Sequence, residues 1–486
     1  MTIATCRVTD HQSPQATAPA GLRRNHLSLF EVIAIAIAVI APTAMPTLAA
    51  PEVYGTSGNG TWLAYLIATL SLVFVSFNIN AFARHEASPG ALYVVAAKGC
   101  GLLWGVIAGW SLLIGYVFTA SALLSGSAGY LLGLFHQFIQ GGSDVLIGAF
   151  FSIALLGVAW ALAFRGVKLS SRTSLAIEAA TVTIIFGLLF GALLIQGPIV
   201  DHAQITLQAV TPGQIRLGLV LAFFSFVGFE AATAVGAEAR NPFKAVPLAV
   251  LLSVVISGLF FVLVAYGLVA TFHHLGQDLS QSNAPLASVA TGLRLPWFGN
   301  FISLGVALSG FACTLGSINA ASRILYALAR HGLFSSRASQ THEVHATPHV
   351  ALAVVALAAL AISLLLTFLK VHFLDAFAYL GTLSSFGFIF VYILVSAGTP
   401  LYLRKRGLLR LRHVAISLIA IGLLGVALYG SVYPVPRWPL NIIPYVFLVL
   451  VVAGVGYFIG LQIFAPTQLF IIEADLIQGD SLDVGT

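Results

Sequence analysis

Glu178, Glu230 and Arg323 each lie inside a long apolar stretch of a chain that is 59% hydrophobic and only 8% charged. A charge at the centre of a bilayer costs about 2.5–3.5 kcal/mol on insertion scales, so a carboxyl there must face other protein, carry a proton or find a partner. Carboxyls so placed are candidates for taking up and releasing a proton. Ser174, Glu178 and Thr181 follow one another at spacings of four and three residues, which puts them on one face of a helix. Glu178 lies about 9 Å in from Arg172 along that helix, and Arg323 about 10 Å in from Arg330 along its own. The hydroxyls of Thr181, Ser317 and Ser322 are candidate oxygen ligands for sodium.

Two of the elements that must hold these residues carry their own helix breakers. The stretch from Leu27 to Ala50 is interrupted by Ala41, Pro42, Thr43, Ala44, Met45 and Pro46, and the stretch from Ile215 to Val235 by Phe226, Val227, Gly228, Phe229 and Glu230. A break in a membrane helix strands backbone N–H and C=O groups, which is tolerated only where the break lines a cavity or is covered by protein. Paired breaks at matching points of two halves point to the substrate site of a transporter. Pro42 and Pro46 each lack a donor and clash with the preceding turn. Freed amides from Pro42 to Met45, aided by the positive end of the following half-helix, suit a carboxylate, and Thr43 adds a hydroxyl. At the second break Gly228 supplies flexibility, free carbonyls suit an ammonium group, and Phe224, Phe226 and Phe229 supply aromatic surface for a gate, with Phe224 placed to cover a substrate. The plainer alternatives are a packed proline kink and phenylalanines that only fill the core.

Apolar stretches of about 20 residues are long enough to cross a ~30 Å hydrocarbon core. Twelve are expected, at roughly 28–50, 62–83, 102–134, 145–163, 172–196, 215–236, 243–271, 298–330, 350–369, 373–398, 411–431 and 440–463. Of the 22 Lys and Arg residues, seventeen fall on one set of alternate loops and the tail; Arg216, Arg294, Lys370 and Arg437 fall on the other, and Arg323 lies within a span. That bias places both termini in the cytoplasm of a multi-pass plasma-membrane protein. The breaks in spans one and six imply two five-span units of opposite orientation. The chain then divides into a tail (1–27), a first repeat (28–197), a second repeat (198–400), two accessory helices (401–464) and a second tail (465–486). The net charge of +6 sits in short loops and does not suggest nucleic-acid binding. Cys6, Cys100 and Cys313 form no disulfide or metal pattern. His342, His345 and His349 are read as loop residues and not as a metal site, His273 and His274 as solvated, and Gly101, Gly105 and Gly109 as a close-packing ridge. No phosphate-binding loop, nucleophile triad or cofactor motif is present, so enzyme chemistry and ATP drive have no support; a receptor or channel is the reading from a different class.

Several motifs carry a resemblance. The run Phe224-Ser225-Phe226-Val227-Gly228-Phe229-Glu230, then Gly236-Ala237-Glu238-Ala239-Arg240-Asn241-Pro242 and Pro247, resembles the sixth helix and following loop of the amino acid–polyamine–organocation permeases. Ser88-Pro89-Gly90-Ala91-Leu92-Tyr93 is similar to the family's stretch after span two, Gly166-Val167-Lys168-Leu169-Ser170-Ser171-Arg172 to its entry into span five, and Ala321 to Leu333 with Thr347-Pro348 to the end of its span eight. The resemblance implies an all-α integral membrane fold with a five-plus-five inverted repeat, discontinuous helices one and six and two accessory helices. It implies import of an amino acid or amine, by proton or sodium symport or by exchange. It places Ala41, Pro42, Thr43, Ala44, Met45, Phe224, Ser225 and Val227 around the substrate. In that fold spans five and eight pack near span one, so Glu178 and Arg323 are expected to pair near the cytoplasmic gate. Thr181 stands nearest the position where some proton-coupled members carry a lysine. Where the family's span-one break is typically a glycine-rich run, this chain has Pro-Thr-Ala-Met-Pro.

Overall fold

The computed structural model describes residues 27–85, 91–139, 141–196, 200–433, 435–466, 469 and 473. The two tails, apart from Leu27 and the last few described positions, and the Ser88-Pro89-Gly90 part of one motif lie outside them.

The described residues form helices and one isolated bridge. In chain order the helices are α1 (Leu29–Ile40), α2 (Ala44–Ser57), α3 (Thr61–Ala83), α4 (Ala91–Cys100), α5 (Leu102–Phe138), α6 (Asp144–Arg165), α7 (Val167–Gln196), α8 (His202–Ile205), α9 (Pro212–Phe224), α10 (Ala231–Ala234), α11 (Pro242–Leu275), α12 (Pro285–Gly292), α13 (Pro296–Arg330), α14 (His349–Phe368), α15 (Phe373–Lys405), α16 (Leu411–Val432) and α17 (Ile443–Phe464). Ten segments are long and apolar enough to cross a membrane by length and composition; the first, Leu29–Ala83, contains α1, α2 and α3. Local chemistry marks the starts. Ser28 closes a capping box with Glu31 at the head of α1, and Thr211 with Gln214 at the head of α9, where Pro212 occupies the first turn.

α1, α2, α9 and α10 sit at the centre. α1 packs on α7, α11 and α13, and α2 packs on α9. Around them α5 packs along α13 and α15, α3 along α11, and α7 along α13. α16 lies against α3, α9 and α15, whereas α17 touches only α5 and α15 in any depth and exposes Leu448, Val449 and Val452. Small residues let α5 and its neighbours approach. A side-chain carbon on Gly105 would meet Ala97 of α4, and one on Gly109 would meet Leu328 of α13, while Gly101 has open space beside it. The close-packing ridge therefore has two members, Gly105 and Gly109.

Candidate functional site

The first break is shorter than the proline spacing predicts. Ala41 turns the chain with φ 50°, and α2 already begins at Ala44. Pro46 is thus in the first turn of α2, where its missing N–H belongs to a group that has no helical partner anyway. Pro42 has no N–H to give the Ala38 carbonyl. The Ala44 N–H turns away from the helical ladder and bonds to Ser309 Oγ at 3.0 Å, which frees the Ile40 carbonyl. Between them, the Val39 carbonyl accepts the Cys313 thiol at 2.8 Å. The amides are more committed: Ala41 N–H bonds to Ile37 O and Met45 N–H to Ala41 O.

The second break spans Ser225 to Glu230 as a series of turns. Phe226, Val227 and Phe229 each donate three residues back, and Ala231 donates to Gly228 O. The Ser225 and Val227 carbonyls consequently lose the donors a continuous helix would supply. Gly228 has φ +100°, a conformation that favours glycine, and its missing side chain leaves room for Val39 at the end of α1. That contact brings the two breaks together. Every residue from Ala41 to Pro46 and from Phe224 to Glu230 is buried, so this conformation is closed around both breaks.

The three phenylalanines diverge. Phe224 rests on Phe377 of α15 with Gly381 beneath it, Phe226 on Phe261 of α11, and Phe229 on Tyr392 of α15. Ser225 Oγ lies 3.3 Å from Tyr65 Oη of α3.

Glu178 and Arg323 do not pair. Ser309 of α13 donates to Glu178 Oε1 at 2.5 Å, while Arg323 Nε donates to Glu238 Oε1 at 2.6 Å. Depth along each helix was reckoned from its own basic end, and the two ends are not level. Asn319 of α13 meets Ser170 of α7 at 3.2 Å, so the α13 terminus overshoots that of α7. Ser309 and Arg323 are separated by fourteen residues, roughly 21 Å of helix. Ser174, Glu178 and Thr181 are all buried, and Thr181 Oγ1 lies 2.7 Å from Thr43 Oγ1 at the first break. Ser317 lies 3.9 Å from Cys313 Sγ and Ser322 donates to Asn319 O, so the three hydroxyls named for sodium have separate partners.

Glu178 Oε2 is buried without a hydrogen-bond partner among the described residues. Glu230 is the opposite case. Tyr116 of α5 donates to its Oε1 and Tyr392 of α15 to its Oε2, each at 2.6 Å. The second break is thereby tied to two surrounding helices through one carboxyl with no free oxygen.

A set of ion pairs closes the end of the bundle where α1 begins. Glu31 Oε1 accepts from Arg172 Nη2 at 2.9 Å and faces Lys168 Nζ at 3.6 Å. Leu27 N–H bonds to Glu238 O, and Arg240 N–H to Leu27 O, which zips the entry of α1 to the segment after α10. At the opposite end His273 is not simply solvated: its Nδ1 lies 2.8 Å from Asp201 Oδ2, and its Nε2 lies 3.4 Å from Tyr54 Oη near the C-terminal end of α2. His342 and His345 stack on each other and meet Phe164 edge-on, His349 meets His342 edge-on, and no three-residue metal cluster occurs among the described residues.

Ser309, Tyr116, Tyr392 and Glu31 escape a reading of the sequence. Hydroxyls are common in apolar helices, and nothing local marks which ones point at a carboxyl. Glu238 stands in a motif that sequence reading singles out, but it is 85 positions from Arg323, and nothing local marks the two as partners.

Residues 27–472 match the family described as amino acid permease. The chain is 24% identical to the branched-chain amino acid permease BcaP of Bacillus subtilis, over 68% of this chain and 72% of that protein. It is 23% identical to cationic amino acid transporter 4 of Mus musculus, over 76% of this chain and 60% of that longer protein. It is 22% identical to the methylthioribose transporter of Bacillus subtilis, over 66% of this chain and 71% of that one.

Proposed function

The chain belongs to the amino acid permease family, and from that premise we propose that it imports an amino acid or a related amine across the plasma membrane by alternating access, driven by protons. It is a multi-pass membrane transporter and not an enzyme. The observation that carries the mechanism is the pair of buried breaks that meet at Val39 and Gly228.

Twelve crossings in an inverted five-plus-five repeat account for the packing. The α1/α2 unit and the α9/α10 unit each open a half, followed by α3 or α11, α5 or α13, α6 or α14, and α7 or α15. The contacts are reciprocal under that exchange. α3 packs on α11 and α5 on α13, its own counterpart in each case. α1 on α7 is matched by α9 on α15, and α13 on α7 by α5 on α15. Such reciprocity is what a two-fold axis in the membrane plane produces. α16 and α17 fall outside the exchange as accessory helices. The loop charges put both termini in the cytoplasm, so the ion pairs around Glu31 and Glu238 form the cytoplasmic gate and the Asp201–His273 pair lies outside.

In this reading the carbonyls of Ala38, Ile40, Ser225 and Val227, displaced from helical bonding, take the substrate's ammonium group. Few amides remain at the first break for a carboxylate, with Thr43 the least committed. Phe224 covers the substrate side chain, whose surroundings are apolar; Glu230 is already engaged at both oxygens, so an uncharged side chain fits best. Glu178 is the proton-carrying carboxyl. Through Ser309 it touches the first amide of α2, so a change at its head group alters the hydrogen bonding of the break itself. Glu230 acts as the tie that fixes the second break.

Counterflow of a labelled panel of amino acids and amines in proteoliposomes, with and without a pH gradient, tests the reading. Saturable uptake that rises with an inward proton gradient is expected. Counterflow without any response to the gradient assigns exchange instead, and currents far above carrier turnover assign a channel.

A further inference from the structure

Against the ion pairs of the gate, and sharing Lys168, Arg172, Arg323 and Glu238 with them, lies a cavity of about 330 Å³ whose Arg165 takes part in none of those pairs. Arg165, Lys168, Arg172, Arg323 and His345 line it, with Glu238 as its one acidic wall residue. Glu31, paired with Lys168 and Arg172, stands behind it. Four permanent positive charges therefore face two carboxylates, a surplus of two before His345 is counted. Arg165 is exposed and has neither an ion pair nor a hydrogen bond among the described residues. Lys168 is held only at 3.6 Å, with ammonium hydrogens to spare. The amino end of α7 opens at the same place, and its unpaired amides add partial positive charge.

We propose that this cavity binds a phosphate-bearing anion, either the headgroup of an anionic phospholipid or a free phosphate. Guanidinium groups bind phosphate oxygens in a planar, two-pronged fashion, and lysine supplies a mobile point charge, so Arg165 with Lys168 makes a suitable pair for it. Basic pockets between membrane helices on the cytoplasmic side suit lipid headgroups. Leu169 of α7 lines the cavity and is 44% exposed, and Trp160 of α6, 37% exposed, stacks on Phe164, which meets His345 of the cavity wall, so an acyl chain can lie there. The inference goes beyond the transport reading. Only the leaflet that would supply the lipid depends on the proposed orientation.

The test is binding to the purified full chain in an uncharged detergent, read as a shift in its thermal unfolding midpoint. The probes are dihexanoyl-phosphatidylglycerol, dihexanoyl-phosphatidylcholine and inorganic phosphate. A saturable shift with phosphatidylglycerol and none with phosphatidylcholine is expected, with binding at least ten-fold weaker in Arg165→Gln, weakened less in Arg165→Lys, which keeps the charge but loses the two-pronged contact, and unchanged in Arg337→Gln. Arg165 is exposed and unpaired, so its variants fold. A shift with inorganic phosphate alone, equally sensitive to Arg165→Gln, supports the site and assigns a soluble anion as its occupant. No shift with either anion, an equal response to phosphatidylcholine, or equal loss in Arg165→Gln and Arg337→Gln overturns the proposal. Binding is measured without transport, so this outcome and that of the counterflow experiment stand apart.

Discussion

Ser309 Oγ lies 2.5 Å from Glu178 Oε1 and 3.0 Å from the Ala44 nitrogen. One hydroxyl thus donates to a buried carboxyl and accepts from the first free amide of the broken helix. Glu178→Gln is expected to leave counterflow intact and to remove the stimulation of uptake by an inward proton gradient. Ser309→Ala should weaken that stimulation and raise KM together, because it detaches the carboxyl from the break. Uptake at matched and unmatched internal pH measures both. Full gradient stimulation in Glu178→Gln would place coupling elsewhere.

Glu230 is held by two phenols, and each phenol removed leaves one buried carboxyl oxygen without its donor. Tyr116→Phe and Tyr392→Phe should each destabilise the protein by about 1–3 kcal/mol, the usual cost of orphaning a buried polar group. A double-mutant cycle with Glu230→Gln should give a coupling of at least ~0.5 kcal/mol. Purely additive effects in thermal unfolding would mean that the tie is not energetic.

Gly228→Ala meets two obstacles, a backbone at φ +100° and the side chain of Val39. A strained backbone of this kind costs about 1–3 kcal/mol. Val39→Ala should recover only part of the steric cost, since its Cβ still stands 2.6 Å from the added carbon and the φ penalty remains. Complete rescue in the double variant, measured by thermal unfolding and uptake, would show that the backbone is unstrained.

Arg323 and Glu238 form a buried pair, and Arg323→Gln or Glu238→Gln alone should cost about 3–5 kcal/mol by leaving the other charge uncompensated. Arg323→Gln combined with Glu178→Gln should be additive to within about 0.3–0.5 kcal/mol, since the two sites share no partner. A larger interaction term would revive the direct pairing that the helix offset argues against.

At the end of the bundle away from Glu31, burial by itself would raise the Asp201 carboxyl, but hydrogen bonds from Gln204 and His273 outweigh it and hold the group below its ordinary value. A lowered carboxyl contributes stability that is fully present above its unfolded value, near ~3.9, and is lost as pH falls through the lower folded value. The thermal midpoint of the wild-type protein should therefore fall across that acid window more steeply than that of Asp201→Asn. Parallel profiles would exclude the contribution.

Much of the architecture was legible because membrane helices obey one-dimensional rules. Apolar length sets a crossing, and a proline or glycine in it marks where a break can fall: Pro42 and Gly228 break their helices, whereas Pro247 and Pro400 sit inside continuous ones. The expected span at 102–134 runs as Leu102–Phe138, and that at 411–431 as Leu411–Val432. The breaks fall where Pro42 and Gly228 put them. The proline argument overreached at Pro46, since a missing donor means nothing in the first turn of a new helix. His273 read as solvated because its acidic partner lies 72 residues away in sequence.

The amino-acid order by itself determined which segments are apolar and long enough to cross, where two stretches break, and that two carboxyls lie in apolar surroundings, because each of these follows from neighbours along one helix. Only the tertiary structure decided which groups meet those carboxyls. Glu178 looks to Ser309 and not to Arg323 because the axial offset between α7 and α13 is set by side-chain packing along their whole length. No count of residues from a helix end contains that offset. The same holds for Tyr116 and Tyr392, which are 276 positions apart in the sequence and reach one carboxyl from two helices.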